Sequence, residues 1–208
     1  MNSSPTVAII GAGIVGCATA YYLAKRGISC HVYDKGPVNG EQSSRAWGFV
    51  RQQGRDPAEL PLMIEANRLW QSLERELGAD LGWRQEGVIY LAYDDRRMAE
   101  FAAWIEAARP YQLQTRLLSA AEVKEKLPGF QGACCGALYT PNDGHADPER
   151  GAPAFRRAAE ALGAVFHTPC AVTAIQQTGG RDAGLVTEHG DVEAGTLVCA
   201  AGAWTLPL

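Results

Sequence analysis

The sequence predicts an α/β protein: a parallel sheet flanked by helices, with an α+β block inserted part-way along the chain. Three observations lead there. Val7-Ala8-Ile9-Ile10 is an apolar run cut off by Gly11, after which the pattern switches to helical spacing. A second apolar run, Ile28 to Tyr33, ends on Asp34. Near the far end Thr196-Leu197-Val198-Cys199 has the look of a buried strand and runs into the small residues Ala200-Ala201-Gly202.

Thr6 to Ile10 is a short run of mostly β-branched apolar residues, as a central parallel strand buried on both faces should be. From Gly13 to Arg26, Ile14, Ala18, Tyr21, Tyr22 and Ala24 recur at helical spacing, and Lys25-Arg26-Gly27 closes the helix with positive charge and a glycine. Between strand and helix lies Gly11-Ala12-Gly13-Ile14-Val15-Gly16. Gly11 permits the tight turn, Gly13 clears the approach of a pyrophosphate, and Gly16 lets the helix pack closely on the sheet. The helix start then aims N–H groups and a positive dipole end at phosphate. Asp34 stands 18 residues beyond Gly16, where it can accept from a ribose diol and where its charge disfavours a 2′-phosphate. These features define a Rossmann-like dinucleotide site, for FAD or NAD rather than NADP. Lys35, next in the chain, is a further candidate contact.

The segment after the second strand separates the two cofactors. A nicotinamide domain normally proceeds to another crossover helix. Here Gly36 to Gly54 is a polar loop with two serines, a Trp and two arginines, suited to cradling a ligand. A helix follows, with Asp56 as N-cap and Pro57 at its first position.

Three stretches resemble one family: V-A-I-I-G-A-G-I-V-G-C-A-T-A-Y-Y-L-A-K-R-G, then S-S-R-A-W-G-F-V-R-Q-Q-G-R-D-P-A-E-L-P-L, and finally L-V-C-A-A-G-A-W. They are similar to the D-amino-acid-oxidase-type FAD oxidoreductases, which include glycine and sarcosine oxidases, D-amino-acid dehydrogenases and opine-type dehydrogenase subunits. The resemblance runs along the whole chain. It implies FAD as cofactor and a Rossmann-like FAD-binding domain with part of an inserted α+β substrate domain. It implies that Ser43, Ser44, Arg45, Trp47 and Gly48 lie along the flavin. It also implies that Ala200, Ala201, Gly202 and Trp204 approach it, and that the strand holding Val172 supplies a backbone amide to adenine. Where the family often has Asn, this chain has Ala46.

The middle of the chain breaks the Rossmann alternation. Pro57 to Leu77 is an amphipathic helix with Leu60, Met63, Ile64, Leu69, Trp70, Leu73 and Leu77 near one face. Gly87 to Tyr93 and Gly136 to Tyr139 read as strands, Leu117 as part of a short extended stretch, and Arg96 to Ala108 and Ala120 to Lys126 as helices. Pro141 to Gly144 is a turn, and Asp147 caps a helix from Pro148 to Leu162. Residues 1–80 and 141–208 are thus assigned to the FAD-binding domain, and 81–140 to a partial substrate domain.

Net charge is −4, with 19 basic and 23 acidic residues, so there is no basic footprint for nucleic acid. The start of the chain lacks a leader pattern, and no apolar stretch reaches the roughly 20 residues of a membrane span. A cytoplasmic location follows by default, with peripheral inner-membrane association left open. The six cysteines form no C-x-x-C pair, and no metal is expected. Cys17, Cys30 and Cys199 should pack as small hydrophobes. His31, His167 and His189 sit in strand patterns without partner spacing, and no triad or paired carboxylates appear.

That absence suits flavin chemistry, in which the cofactor carries the electrons and the protein orients the substrate. A substrate carboxylate calls for an arginine fork, with Arg51 the first candidate and Arg45 the second. The expected function is oxidation of the C–N bond of a small amine or amino acid (glycine, sarcosine, D-amino acid or opine class) by hydride transfer to FAD. Alternatives are a 2-hydroxy-acid or glycerol-phosphate dehydrogenase on the same scaffold, or a truncated chain that only binds nucleotide. Measured against the family, the remaining substrate sheet and a late glycine-rich loop are not in these residues. A partner subunit or a C-terminal half is therefore expected, and strand 87–93 should lack neighbours. The 208 residues alone are expected to hold FAD weakly and turn over nothing.

Overall fold

The computed structural model describes residues 5–178 and 181–206. Residues 1–4, read above for a leader, and the final 207–208 lie outside the described residues. The chain divides into two compact units: residues 1–47 with 147–208, and residues 48–146.

The first unit is built on a parallel sheet. β1 (Val7–Ile10) pairs in parallel with β2 (Cys30–Tyr33), and α1 (Ile14–Ala24) connects them. All four β1 residues are buried, as expected of a strand covered on both faces. The buried stripe of α1 is Gly16, Cys17, Ala20, Tyr21 and Ala24, which keeps Tyr21 and Ala24 of the expected set and adds the small residues Gly16, Cys17 and Ala20. Gly16 shows why: a Cβ there would lie 1.9 Å from the Gly11 carbonyl oxygen.

The second unit opens with β3 (Phe49–Val50), a 3-10 turn (Pro57–Glu59) and α2 (Leu60–Leu77). Asp56 caps the turn by accepting from Ala58 N at 2.8 Å. Next come β4 (Val88–Ala92), α3 (Asp95–Ala108), β5 (Arg116–Ser119), α4 (Ala120–Lys126), β6 (Gly136–Thr140) and β7 (Gly144–His145). The order β4-β6-β5 is antiparallel. One face packs Ala92 and Leu138 on Phe101 of α3, and the other packs Leu118 and Ala137 on Val123 of α4. β4 therefore has β6 as a neighbour, contrary to the expectation of none.

The first unit resumes with α5 (Gly151–Ala161), β8 (Val165–His167), a meander of β9 (Val172–Thr178), β10 (Arg181–Thr187) and β11 (Gly190–Glu193), and then β12 (Thr196–Cys199). The parallel sheet has the order β12-β1-β2-β8. The meander packs on one face through Leu185, Ile175 and Val192, against Ala8, Ile10 and Tyr33.

Several expectations are corrected. α5 starts at Gly151 rather than Pro148, because Asp147 binds Glu149 N and Arg150 in a turn that precedes the helix. β12 is the edge of the described sheet rather than a buried strand, and Cys199 is exposed, whereas Cys17 and Cys30 are buried as expected. The unit boundaries fall after 47 and 146, not after 80 and 140. The reason is hydrogen bonding within 48–146: β3 pairs with β7, Glu74 of α2 accepts from Leu81 N, and Asn67 of α2 donates to Asp143. No helix among the described residues is long and apolar enough to cross a membrane.

Candidate functional site

In a parallel sheet every strand points its carboxyl end to the same side, so ligand sites gather there. In the first unit a cleft of about 380 Å³ opens at that side, beyond β1, β2 and β12. Its floor is Gly11 and Gly13, and its walls include Tyr33, Asp34, Ser43, Val172 and the run Ala200 to Gly202.

The floor is nearly bare of side chains for steric reasons. Gly11 has φ +105°, and a Cβ on it would lie 2.5 Å from Ala200 O. A Cβ on Gly13 would stop 3.0 Å from Ser43 Oγ. Gly13 cannot cap α1 with a side chain, and Ser43 does so from the loop, its Oγ accepting from Ile14 N at 3.0 Å. Asp34 is fixed by two backbone donors, Ala12 N at 2.7 Å to Oδ2 and Gly36 N at 2.9 Å to Oδ1. An ionised carboxylate has about four acceptor positions, so roughly two remain for a vicinal diol. Buried Ala12 supplies one clamp on Asp34, and Val15 is 63% exposed at the helix start.

Not every expected residue reaches the cleft. Lys35 lines it, with Nζ 3.5 Å from Glu41 and 3.7 Å from the Trp204 ring centroid. Trp204 lines it as well. Ser44 is absent from the lining, its hydroxyl donating to Glu41 O within the 3-10 turn Gln42–Arg45. Arg45 is also outside the lining and pairs with Glu41 at 3.1 Å. Trp47 is 88% exposed and is not in the lining. Gly48 and Arg51 belong to the second unit. There Gly48 O accepts from Ala146 N, and the Arg51 guanidinium donates to Gln53 O and lies 5.4 Å from the Tyr90 ring centroid.

Sequence reasoning did not single out Ile10, Tyr33, Glu41 or Gln42 in the lining, whereas Ala171 and Thr173 flank Val172 on the strand expected there. Tyr33 was findable as the last residue of a strand whose end faces the ligand. It also missed a polar cluster beside the cleft: His31 Nδ1 lies 3.2 Å from His167 Nε2 across β2 and β8, and Tyr33 OH lies 3.4 Å from His31 Nδ1. Burial lowers the pKa of both imidazoles, with His167 adding to the effect on His31, and burial pushes the Tyr33 phenol up to about 12. Only strand register could have paired residues so far apart in sequence.

A glycine-floored cleft at the carboxyl ends of parallel strands, with an anchored acid at its wall, defines a dinucleotide-binding scaffold of the Rossmann type. The family follows from comparison. The model of the FAD dependent oxidoreductase (DAO) family matches residues 6–208, and the chain belongs to that family. Its cofactor class is FAD. The chain is 31% identical over 212 residues to human mitochondrial sarcosine dehydrogenase, covering 98% of this chain and 23% of that protein. It is 32% identical over 207 residues to sarcosine oxidase subunit beta of Arthrobacter sp, covering 96% and 51% respectively. Among solved structures, an L-amino acid deaminase from Proteus myxofaciens superposes with a TM-score of 0.91 at 33% identity, covering 99% of this chain and 47% of that one. The chain thus spans from about a quarter to about half the length of these relatives.

Proposed function

We propose that the protein oxidises the C–N bond of a small amine or amino acid, with FAD as the electron acceptor. The observation that carries this reading is the cleft of the first unit, whose bare floor and anchored Asp34 fit the ADP half of FAD. In this reading Gly11 and Gly13 let the pyrophosphate approach the backbone, and the start of α1 faces its charge. Asp34 takes the ribose diol, while Ser43, Ala200 to Gly202 and Val172 flank the nucleotide. FAD, when bound, supplies the two-electron chemistry by accepting hydride from the carbon that bears the amine. The 48–146 unit serves the substrate. Arg51 offers a guanidinium already oriented by Gln53 O and Tyr90, which suits a planar carboxylate. Arg45, paired with Glu41, is the weaker candidate.

Substrates of the glycine, sarcosine, D-amino-acid and opine classes come first, and the likeness to an L-amino acid deaminase adds L-amino acids. The test is a panel of these compounds against the protein in its full-length or partner-complexed form, followed by flavin bleaching near 450 nm without oxygen. Bleaching by at least one amine or amino acid is expected. Bleaching only by 2-hydroxy acids or glycerol phosphate, or by nothing, contradicts the proposal. The likeness to a sarcosine oxidase subunit supports assembly with a second chain, to be checked by co-purification and size exclusion.

A further inference from the structure

We propose that Asp143, in the turn between β6 and β7, is a positioning residue for Arg51 and thereby for recognition of the substrate carboxylate. The proposal rests on the functional reading above.

β3 ends at Val50, so the next backbone N–H groups have no strand ladder to join. Buried N–H groups need acceptors, and those of Gln52 and Gln53 find them on one side chain. Asp143 Oδ1 accepts from Gln52 N at 2.9 Å, and Oδ2 accepts from Gln53 N at 2.9 Å. Oδ1 also accepts from Gln52 Nε2 at 3.1 Å and from Asn67 Nδ2 of α2 at 3.4 Å. Asp143 and Gln53 are both 0% exposed.

The constraint passes on to Arg51. Gln53, gripped at its N–H, accepts Arg51 Nη1 at its carbonyl, and its side-chain Oε1 accepts from Thr140 Oγ1 at 2.8 Å. Asp143 is itself held, its carbonyl accepting from Gly87 N at 2.9 Å. A single backbone carbonyl in its place would present one oxygen. The carboxylate presents two, to successive amides, and so fixes the peptide on which Arg51 leans.

Burial pushes the Asp143 carboxyl above its ordinary range, while the Gln53 and Gln52 donors and the Arg51 charge pull the other way. A neutral amide at this position would relieve the burial cost of charge while turning an N–H donor toward one of the gripped amides. Asp143→Asn therefore disturbs placement more than stability.

The test is a double-mutant cycle of Asp143→Asn and Arg51→Lys in the full-length or partner-complexed protein, read as KM and kcat for the best amino-acid substrate, with flavin content measured alongside. Asp143→Asn should raise KM about tenfold, on the scale of one displaced charge-assisted hydrogen bond. Flavin content should stay at wild type and kcat within about threefold. The double variant should be no worse than the poorer single variant. An unchanged KM, or penalties that multiply, would overturn the proposal. Should Asp143→Asn fail to fold, Gln52→Ala removes one side-chain donor and should raise KM a few-fold, again without multiplying with Arg51→Lys. A wild-type protein that oxidises no amine or amino acid defeats the functional reading instead. Hydrogen exchange then decides the clamp: the Gln52 and Gln53 amides should lose protection in Asp143→Asn while those of β1 keep it, and retained protection refutes it.

Discussion

In the first unit the cleft is made of backbone and of side chains that hold backbone: glycines at a strand end, Ser43 on Ile14 N, and Asp34 on Ala12 N and Gly36 N. In the second unit the polar interior is made of side chains from separate elements, with Asp143 joined to Gln52, Gln53 and Asn67 across 76 to 91 positions. The first arrangement suits a ligand recognised through phosphates and a diol, which a rigid turn can fit once. The second suits a substrate surface whose shape is set by which side chains meet.

That contrast can be broken where it is strongest. Gly16→Ala puts a methyl 1.9 Å from Gly11 O, against backbone that cannot swing aside. A cost of about 2–3 kcal/mol is expected, in the range for overpacking, with loss of bound flavin. Thermal unfolding and the flavin-to-protein ratio check it, and a variant with wild-type flavin content would show that the turn tolerates remodelling. Asp34→Ala should weaken ADP binding about 10- to 100-fold, since hydrogen bonds to a charged acceptor are worth about 1.5–3 kcal/mol. Calorimetric titration measures this directly.

Much of the first unit was legible because its signals are local. Strand, glycine turn, helix and acid lie within Val7 to Asp34, and the order of residues there is the order in space. Ser43 was legible only through the resemblance, since nothing in its neighbours reveals that it caps a helix 29 positions away. The edge position of β12 was not legible, because an apolar run reads alike at an edge or in the middle of a sheet. Asp143 was read as a turn residue, and nothing local to Pro141-Asn142-Asp143-Gly144 marks a buried carboxylate. The same holds for His31 and His167, which meet through a strand register that periodicity cannot supply.

Smaller effects sharpen the comparison. Ser43→Ala removes the loop cap of α1 and should cost about 1 kcal/mol, lowering the melting temperature by roughly 2–4 °C for a chain of this size. The size of that shift measures how far the helix start depends on the loop. The histidine pair gives the gentlest probe. Both imidazoles titrate below the usual 6.5 in the folded protein, so the unfolded chain takes up protons first. Stability should be full above about pH 6.5 and decline as pH falls through that value toward the folded pKa. Replacing His31 with Gln should flatten part of the decline in melting temperature between pH 7 and 5.5.

The most direct test of the cleft assignment is competition between ADP and its 2′-phosphorylated counterpart for the purified protein, in wild type and Asp34→Ala. Wild type should prefer the free diol by at least about tenfold, and the variant should lose that preference, because the carboxylate both accepts from the diol and repels added phosphate. Equal binding of the two nucleotides by wild type, or an unchanged preference in the variant, would contradict the placement of ribose at Asp34 and with it the reading of the cleft.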